Sequence, residues 1–415
     1  MRHFDVIVIG GGAAGVMAAG VAAGTGRKVL LCEKMEKPQR KVRITGKGRC
    51  NLTNMRSMTE FLNHIHESPE FVAEALRGFS NEDAYAFFER IDVPLAVERG
   101  DRVFPVSGKA WDVAEAHIRW CRKQGVVIEC GVRVVEICAE HGRVTGVLTE
   151  NKQEKSEHLA ASRVILATGG VSYPATGSTG DGYLLAHSLG HTIVEVRPSL
   201  TPLETHMPGV RALKGLALRN IAASLRVDGK IVRQEFGEME FTPYVAGPIV
   251  LRMSRSAVDA LIDGRRVDIV LDLKPALSEK QLENRLVREW NALGRSADRK
   301  SLLRKLLPAQ LLPVFESRLS IRSGQKFSCD EQERSRIIRL LKEFVLPIDD
   351  YRPFEEAIVT AGGVSTDEID PRTMQSRRVK GLYFAGEVID IDADTGGYNL
   401  QLAYSTGYLA GALKD

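Results

Sequence analysis

Residues 5–33, DVIVIGGGAAGVMAAGVAAGTGRKVLLCE, pass from an apolar run through three consecutive glycines into an Ala-rich stretch, then past Gly24 and Gly26 into a second apolar run, Lys28 to Cys32, ending at Glu33. The pattern predicts strand, tight turn, helix and strand, a βαβ unit. From Phe61 to Arg90 the apolar spacing is helical, and AWDVAEAHIRWCRKQG (Ala110 to Gly125) is an amphipathic helix stopped by glycine. Short β runs with polar turns follow as a meander, before a buried strand from Val164 to Thr168. From His191 to Lys274 the chain alternates like strands, with turns at Val227-Asp228-Gly229 and Asp263-Gly264. From Ser278 to Glu343 it turns helical, in EKQLENRLVREWNAL, KSLLRKLLPAQLLPVFESRL and EQERSRIIRLLKEF, with Pro308 and Pro313 breaking the middle segment. Strand character returns after Phe344. GLYFAGE then runs into Gly386-Glu387, and Gly396-Gly397-Tyr398-Asn399 opens a last helix rich in small residues.

At 415 residues the chain exceeds what one core usually organises, so two or three domains are expected. Its 57 basic and 53 acidic side chains give a net charge of only +4, which singles out no partner by itself. Six cysteines without a C-x-x-C pair argue against a disulfide framework or a zinc site. His64-x-His66 and His187-x3-His191 have the spacing of metal pairs, but Gly190 interrupts the second; ordinary satisfied histidines explain both, and no metal is expected. The nineteen uncharged residues from Val6 to Gly24 resemble a leader or membrane span in length, yet six are glycine and a strand-turn-helix accounts for them. A soluble, cytoplasmic protein is the expectation.

Gly10, Gly12 and Gly15 fit G-x-G-x-x-G, in which the first glycine permits the turn, the second lets a pyrophosphate approach the backbone and the third lets helix pack on strand. The helix N-terminus supplies N–H groups and a positive dipole end. Glu33, 23 residues after Gly10, stands where an acid accepts the ribose hydroxyls of an adenosine. The fingerprint alone serves NAD or FAD. After Glu33, however, a regular βα unit gives way to KMEKPQRKVRITGKGRCNLTN, with seven Lys or Arg among the sixteen residues from Lys34 to Arg49. Such a loop suits an extended dianionic cofactor, with Arg40, Lys41 and Arg49 near phosphate or flavin and the N–H groups of Thr45 to Gly48 close by. A solvated basic surface explains the same residues. No aromatic residue interleaves for base stacking, which argues against nucleic acid.

GGVSYPATGSTGDGYLLAHSLGH places glycines and hydroxyls before a helix beginning near Asp181, which Asp181 is positioned to cap. At the far end, a helix start at Gly396 to Asn399 aimed at flavin N1 and the C2 carbonyl would stabilise the negative charge of the reduced ring. Both ends of the chain would then meet on one ligand, making the cofactor domain discontinuous.

The motifs GGGAAG, GKGRCNLTN, ATGGVSYPATGSTGDGY, TAGGVSTDEIDPRTMQS and GLYFAGEVIDIDADTGGYNLQLA together resemble the BaiN-like flavoproteins, also described as aminoacetone-oxidase-like FAD-binding enzymes. The resemblance spans nearly the whole chain. It implies an α/β fold: a discontinuous glutathione-reductase-type FAD-binding Rossmann domain with an inserted β-rich domain and a helical cap. The expected boundaries are 1–190 and 356–415 for the FAD domain, 191–274 with 344–355 for the β-rich substrate domain, and 275–343 for the helical insertion. Val134 resembles the position backing the adenine, Ala167, Thr168 and Gly169 resemble a second cofactor-facing turn, and Glu387 resembles the acid that binds the ribityl chain. Residues Thr179 to Gly182 resemble a flavin-side loop of fumarate-reductase-like flavoproteins. The cofactor-facing set is thus Gly10, Gly12, Ala14, Gly15, Glu33, Lys34, Arg40, Lys41, Thr45, Gly46, Arg49, Cys50, Asn51, Val134, Ala167, Thr168, Gly169, Asp181, Gly386, Glu387, Gly397, Asn399 and Leu400. Arg49, Cys50, Tyr173 and Tyr398 are substrate-side candidates, and no catalytic residue is assigned. The chain departs from the family at Lys47, where glycine is usual, and at Pro243 and Ala246, so no role of a family histidine is carried over.

The expectation is a FAD-dependent oxidoreductase passing a hydride between flavin N5 and a small organic substrate, including an activated C=C bond, with non-covalent FAD and NAD(P)H as a transient donor. A flavin-dependent tRNA-modifying enzyme and a non-catalytic flavin-binding protein are the rival readings.

Overall fold

The computed structural model describes residues 2–151, 153–294, 298–319 and 328–414. It divides into two compact units, Met1–Ser199 with Phe354–Asp415, and Leu200–Pro353.

The first unit is built on a seven-stranded sheet. Strand β1 (Arg2–Ile9) leads through the glycine turn into helix α1 (Ala13–Gly24) and on to β2 (Val29–Glu33), which pairs parallel to β1 with Ile7 opposite Leu30. These strands are apolar on both faces because both are covered. Each fully buried Val, Ile or Leu contributes about 1.5–3 kcal/mol relative to its exposed state. Helix α2 (Ala110–Lys123) precedes β3 (Val127–Cys130), which extends the sheet beyond β2. The meander follows as β4 (Val132–Glu140), β5 (Arg143–Asn151) and β6 (Ser156–Leu166), with β6 returning parallel to β1. The other edge of β6 is shared. Its first half pairs antiparallel with β5, while Val164 to Leu166 pair parallel with β7 (Leu382–Phe384) from the far end of the chain. Helix α3 (Tyr398–Ala412) then packs along α1.

That packing depends on absent side chains. A Cβ on Gly407 would lie 2.5 Å from the carbonyl oxygen of Ala14, and one on Gly411 would lie 2.4 Å from that of Ala18. Both approaches are to backbone, so the two helices come together only with glycine there.

The second unit holds another seven-stranded sheet, in the order 344–348, 267–272, 217–227, 230–241, 245–246, 203–204, 350–351. The expected turn at Asp228-Gly229 joins the hairpin 217–227/230–241. Residues Pro248–Ile262, read as part of the strand alternation, form a 15-residue helix instead. Their buried positions, Ile249, Val250, Met253, Ala257 and Ala260, follow helical spacing, and Asp263-Gly264 ends that helix. The helices Glu279–Leu293, Arg299–Arg304, Leu312–Arg318 and Glu331–Lys342 contribute Leu282, Leu302, Phe315 and Ile337 to the same core as sheet residues Ile269 and Phe344.

Candidate functional site

Three chain segments leave the carboxyl edge of the first sheet side by side: Gly10–Gly12 after β1, Ala167–Gly169 after β6 and Ala385–Glu387 after β7. In open α/β sheets ligands bind at this edge. Gly10 has φ 101°, and a Cβ there would meet the Ala167 carbonyl oxygen at 2.5 Å; one on Gly15 would lie 1.9 Å from the oxygen of Gly10. Gly12 caps α1, and a Cβ on it would have nothing within 4 Å. The space over the helix N-terminus is therefore open, as a bound phosphate requires.

Glu33 is buried, its two carboxylate oxygens accepting the N–H groups of Gly11 and Met35, each at 2.8 Å. Burial pushes its carboxyl above the ordinary range while these two N–H groups oppose the rise. Val134 is buried in β4, which pairs antiparallel with β5 at the opposite end of the strand order from β3. Thr168 Oγ1 is buried without a hydrogen-bond partner among the described residues, and so is Asn51 Oδ1. Buried polar atoms of this kind call for a ligand or water. The open cradle at Gly12, the fixed acid and the two orphaned oxygens all fit a dinucleotide.

On the other side Glu387 gathers three donors: Lys41 Nζ at 2.8 Å, Ser172 Oγ at 2.9 Å and the Thr360 N–H at 2.7 Å. Lys41 also bonds Ser172, and Thr360 Oγ1 accepts the N–H groups of Val171 and Ser172. Ser172 and Thr360 lie within the family-like motifs, yet no sequence spacing marks either of them as a partner of Glu387. Gly386, at φ 75°, places its Cα against Ala14, where a Cβ would sit 2.8 Å from the Ala14 methyl, and its N–H is held by Thr406 Oγ1 at 2.9 Å. Gly397 caps α3 at φ 100°, closed on by the Thr53 carbonyl oxygen, 2.3 Å from a would-be Cβ. The two ends of the chain thus converge on one site.

Other assigned residues are placed differently. Asp181 does not cap its helix. Gly180 is the N-cap, and the Asp181 carboxylate turns to Lys34 at 3.0 Å and Arg133 at 3.2 Å. Despite its burial, hydrogen bonds from Thr179 and Lys34 keep this carboxyl below the usual range. Arg40 pairs with Glu36 at 3.0 Å, and Arg49 pairs with Glu98 while lying 4.3 Å over the Phe104 ring. Thr45 and Gly46 begin a loop in which Gly46, Lys47 and Gly48 are all left-handed, at φ 58°, 57° and 83°. Cys50 is buried, its thiol pushed up to about 12 by burial. Asn399 uses both ends of its amide on Ala393, at 2.8 and 3.0 Å, and so fixes the loop before α3. Leu400 packs in the core with Cys50. Tyr398 is buried, stacked 4.4 Å from His64 and edge-on to Phe61 at 4.8 Å. His64 Nδ1 in turn bonds Asp394 at 2.9 Å, a pairing the sequence spacing does not show. Among the described residues no group of three or more His, Cys, Asp or Glu is arranged to hold a metal, and no helix is long and apolar enough to cross a membrane.

Comparison with known proteins agrees with this frame. A family model described as HI0933-like protein Rossmann domain matches residues 4–413. The chain is 34% identical over 411 residues to a 3-dehydro-bile acid delta(4,6)-reductase of Clostridium scindens, covering 97% of each protein. It is 28% identical over 409 residues to a ribosomal RNA dihydrouridine synthase of Escherichia coli K12, covering 98% of this chain and 97% of the relative. Among solved structures, a 3-ketosteroid delta1-dehydrogenase from Sterolibacterium denitrificans shares the fold at TM-score 0.55 and 13% identity, over 99% of each chain.

Proposed function

We propose a function from one premise: this chain belongs to the HI0933-like Rossmann family and is a flavin-dependent oxidoreductase. The reaction is reduction of a C=C bond conjugated to a carbonyl. That bond is the chemistry common to the two relatives' named activities, since reducing an unsaturated 3-oxo bile acid and reducing uridine to dihydrouridine both saturate such a bond. A hydride adds to the carbon remote from the carbonyl and a proton to the adjacent one. Bound FAD supplies the hydride, and NAD(P)H is the proposed source of its electrons.

The chain's own residues do the holding. Gly12 and the α1 N-terminus take the pyrophosphate, Glu33 the adenosine ribose, and Lys41 with Glu387 the ribityl side. The α3 N-terminus at Gly397 favours negative charge at the ring edge. The observation carrying the proposal is the meeting of Gly386 with Ala14, which makes one cradle from both ends of the chain.

The test is a visible spectrum of the purified protein with mass analysis of the released flavin, then anaerobic addition of NADH or NADPH followed by a 3-oxo-4-ene bile acid or uridine. Bleaching of the flavin by a nicotinamide and its recovery on adding an acceptor is expected. A protein that binds FAD, accepts electrons from neither nicotinamide and reduces neither compound sinks the proposal.

A further inference from the structure

The chain between Glu33 and Asn51 runs along the cofactor frame and then out to solvent. Of its seven cations, Lys34 and Lys41 are used on Asp181 and Glu387, and Arg40 on Glu36. Lys37 and Lys47 stand exposed. Lys47 lies within a run of three successive left-handed residues, Gly46 to Gly48.

Read linearly, this loop has no aromatic neighbour. In three dimensions it has two. Trp111, at the start of α2, is 51% exposed, with the Arg43 guanidinium 4.0 Å and the Lys37 ammonium 5.9 Å from its ring centroid. On the other flank Phe104 is buried and anchors Arg49 at 4.3 Å and Arg102 at 5.8 Å. Lys109 is exposed two residues before Trp111, and Arg102 is exposed on the same strand as Phe104, Arg102–Pro105. The result is an accessible indole with Lys37 and the Glu115-paired Arg43 over its ring, and further exposed cations on the same loop and on the strand of Phe104, the combination that binds single strands by phosphate contact and base stacking.

We infer that this face binds a single-stranded segment of RNA, with Lys37, Lys47, Arg102 and Lys109 on phosphates and Trp111 stacked on a base. The inference rests on the carbonyl-conjugated C=C reading, because a uracil is such a group and the same loop continues into the cofactor frame at Lys41. An acidic protein surface would use the cations and leave the indole without a role.

The experiment is fluorescence anisotropy of a labelled uridine oligomer of about 20 nucleotides with the FAD-loaded protein, between about 50 and 200 mM KCl. Four phosphate contacts to a single strand predict about fifty-fold weaker binding over that range. Trp111→Ala is expected to weaken binding about tenfold, and Lys47→Glu with Lys109→Glu to flatten the salt dependence, both with the flavin spectrum intact. The inference is overturned if the oligomer does not bind at the lowest salt, if the variants bind as the parent does, or if polyglutamate competes as well as RNA. Reduction of the 3-oxo-4-ene acid in the same preparations separates the two claims. If it persists without RNA binding, only the surface assignment falls; RNA binding on this face with no reduction of either acceptor removes the C=C reading and leaves the surface.

Discussion

Cys50 sits in the loop that faces the cofactor frame, yet its environment makes it a packing residue. It is buried with Leu52, Tyr404 and Val42, and a thiol pushed up to about 12 holds almost no thiolate at neutral pH. Iodoacetamide at pH 7.5 should therefore modify exposed Cys130 and half-buried Cys138 and leave Cys50 untouched in the native protein, as read by peptide mass mapping; rapid labelling of Cys50 would restore it as a reactive group. His191 presents the opposite case, a residue with the geometry of a reactive centre and the role of a strut. Its Nδ1 meets Glu368 at 3.1 Å and its Nε2 meets Ser376 Oγ at 2.9 Å, the spacing of a nucleophile triad. Ser376 Oγ, however, already accepts the N–H groups of Arg378 at 3.0 Å and Val379 at 2.8 Å, so its lone pairs are occupied. Burial lowers the imidazole below 6.5 although Glu368 opposes this; against its own burial, Glu368 is drawn down to about 2 by Arg378 and Thr192. Both groups bind fewer protons folded than unfolded, so both contribute stability above their unfolded values and lose it as pH falls, His191 below 6.5 and Glu368 from 4.5 towards 2. The melting temperature should fall as pH drops from 7 to 4, less steeply in His191→Gln. Equal slopes would exclude His191 from the effect.

Among the elements, the α1–α3 pair is the one on which the proposed cofactor cradle depends. Gly407→Ala would place a methyl 2.5 Å from the Ala14 carbonyl oxygen, an overpacking contact against backbone that costs about 1–3 kcal/mol. Because Ala14 also faces Gly386, the same substitution should loosen FAD as well as lower the melting temperature. Measuring flavin retention on gel filtration checks this; a stable variant with full flavin would show that the helices can separate without disturbing the turn. The βα unit from β1 to β2 was legible from sequence because its apolar period and glycines act locally. The helix at Pro248–Ile262 was not, since a short apolar run fits either period and the choice was made by packing against the hairpin 217–227/230–241. Likewise Gly10, Gly12 and Glu33 announce themselves by spacing and Glu387 by the resemblance of its motif, whereas Ser172, Thr360 and Trp111 acquire partners only through contacts between distant segments. Asp181 shows why a capping residue is hard to read alone: a carboxylate at a helix start chose two cations over the backbone N–H groups.

At the scale of the whole molecule, each unit owns a hydrophobic core. Residues such as Val8, Leu31, Ile165 and Phe384 fill the first, and Phe241, Ile269, Phe315 and Phe344 the second. Each residue of the proposed FAD cradle, from Gly12 to Gly397, belongs to the first unit. A ligand stabilises the state that binds it by RT ln(1 + [L]/Kd), which is about 2.7 kcal/mol at a hundredfold excess over Kd. If the two cores melt as separate cooperative units, that increment acts on one transition alone. Scanning calorimetry of the apoprotein should then resolve two transitions, and added FAD should raise one by several degrees while the other stays in place. A Gly12→Asp variant, which fills the open space over α1 with a carboxylate facing the phosphates, should abolish the shift and keep both transitions. A single transition that moves as a whole with FAD would mean that the second core is held by the first, and that the inserted segment does not fold on its own account.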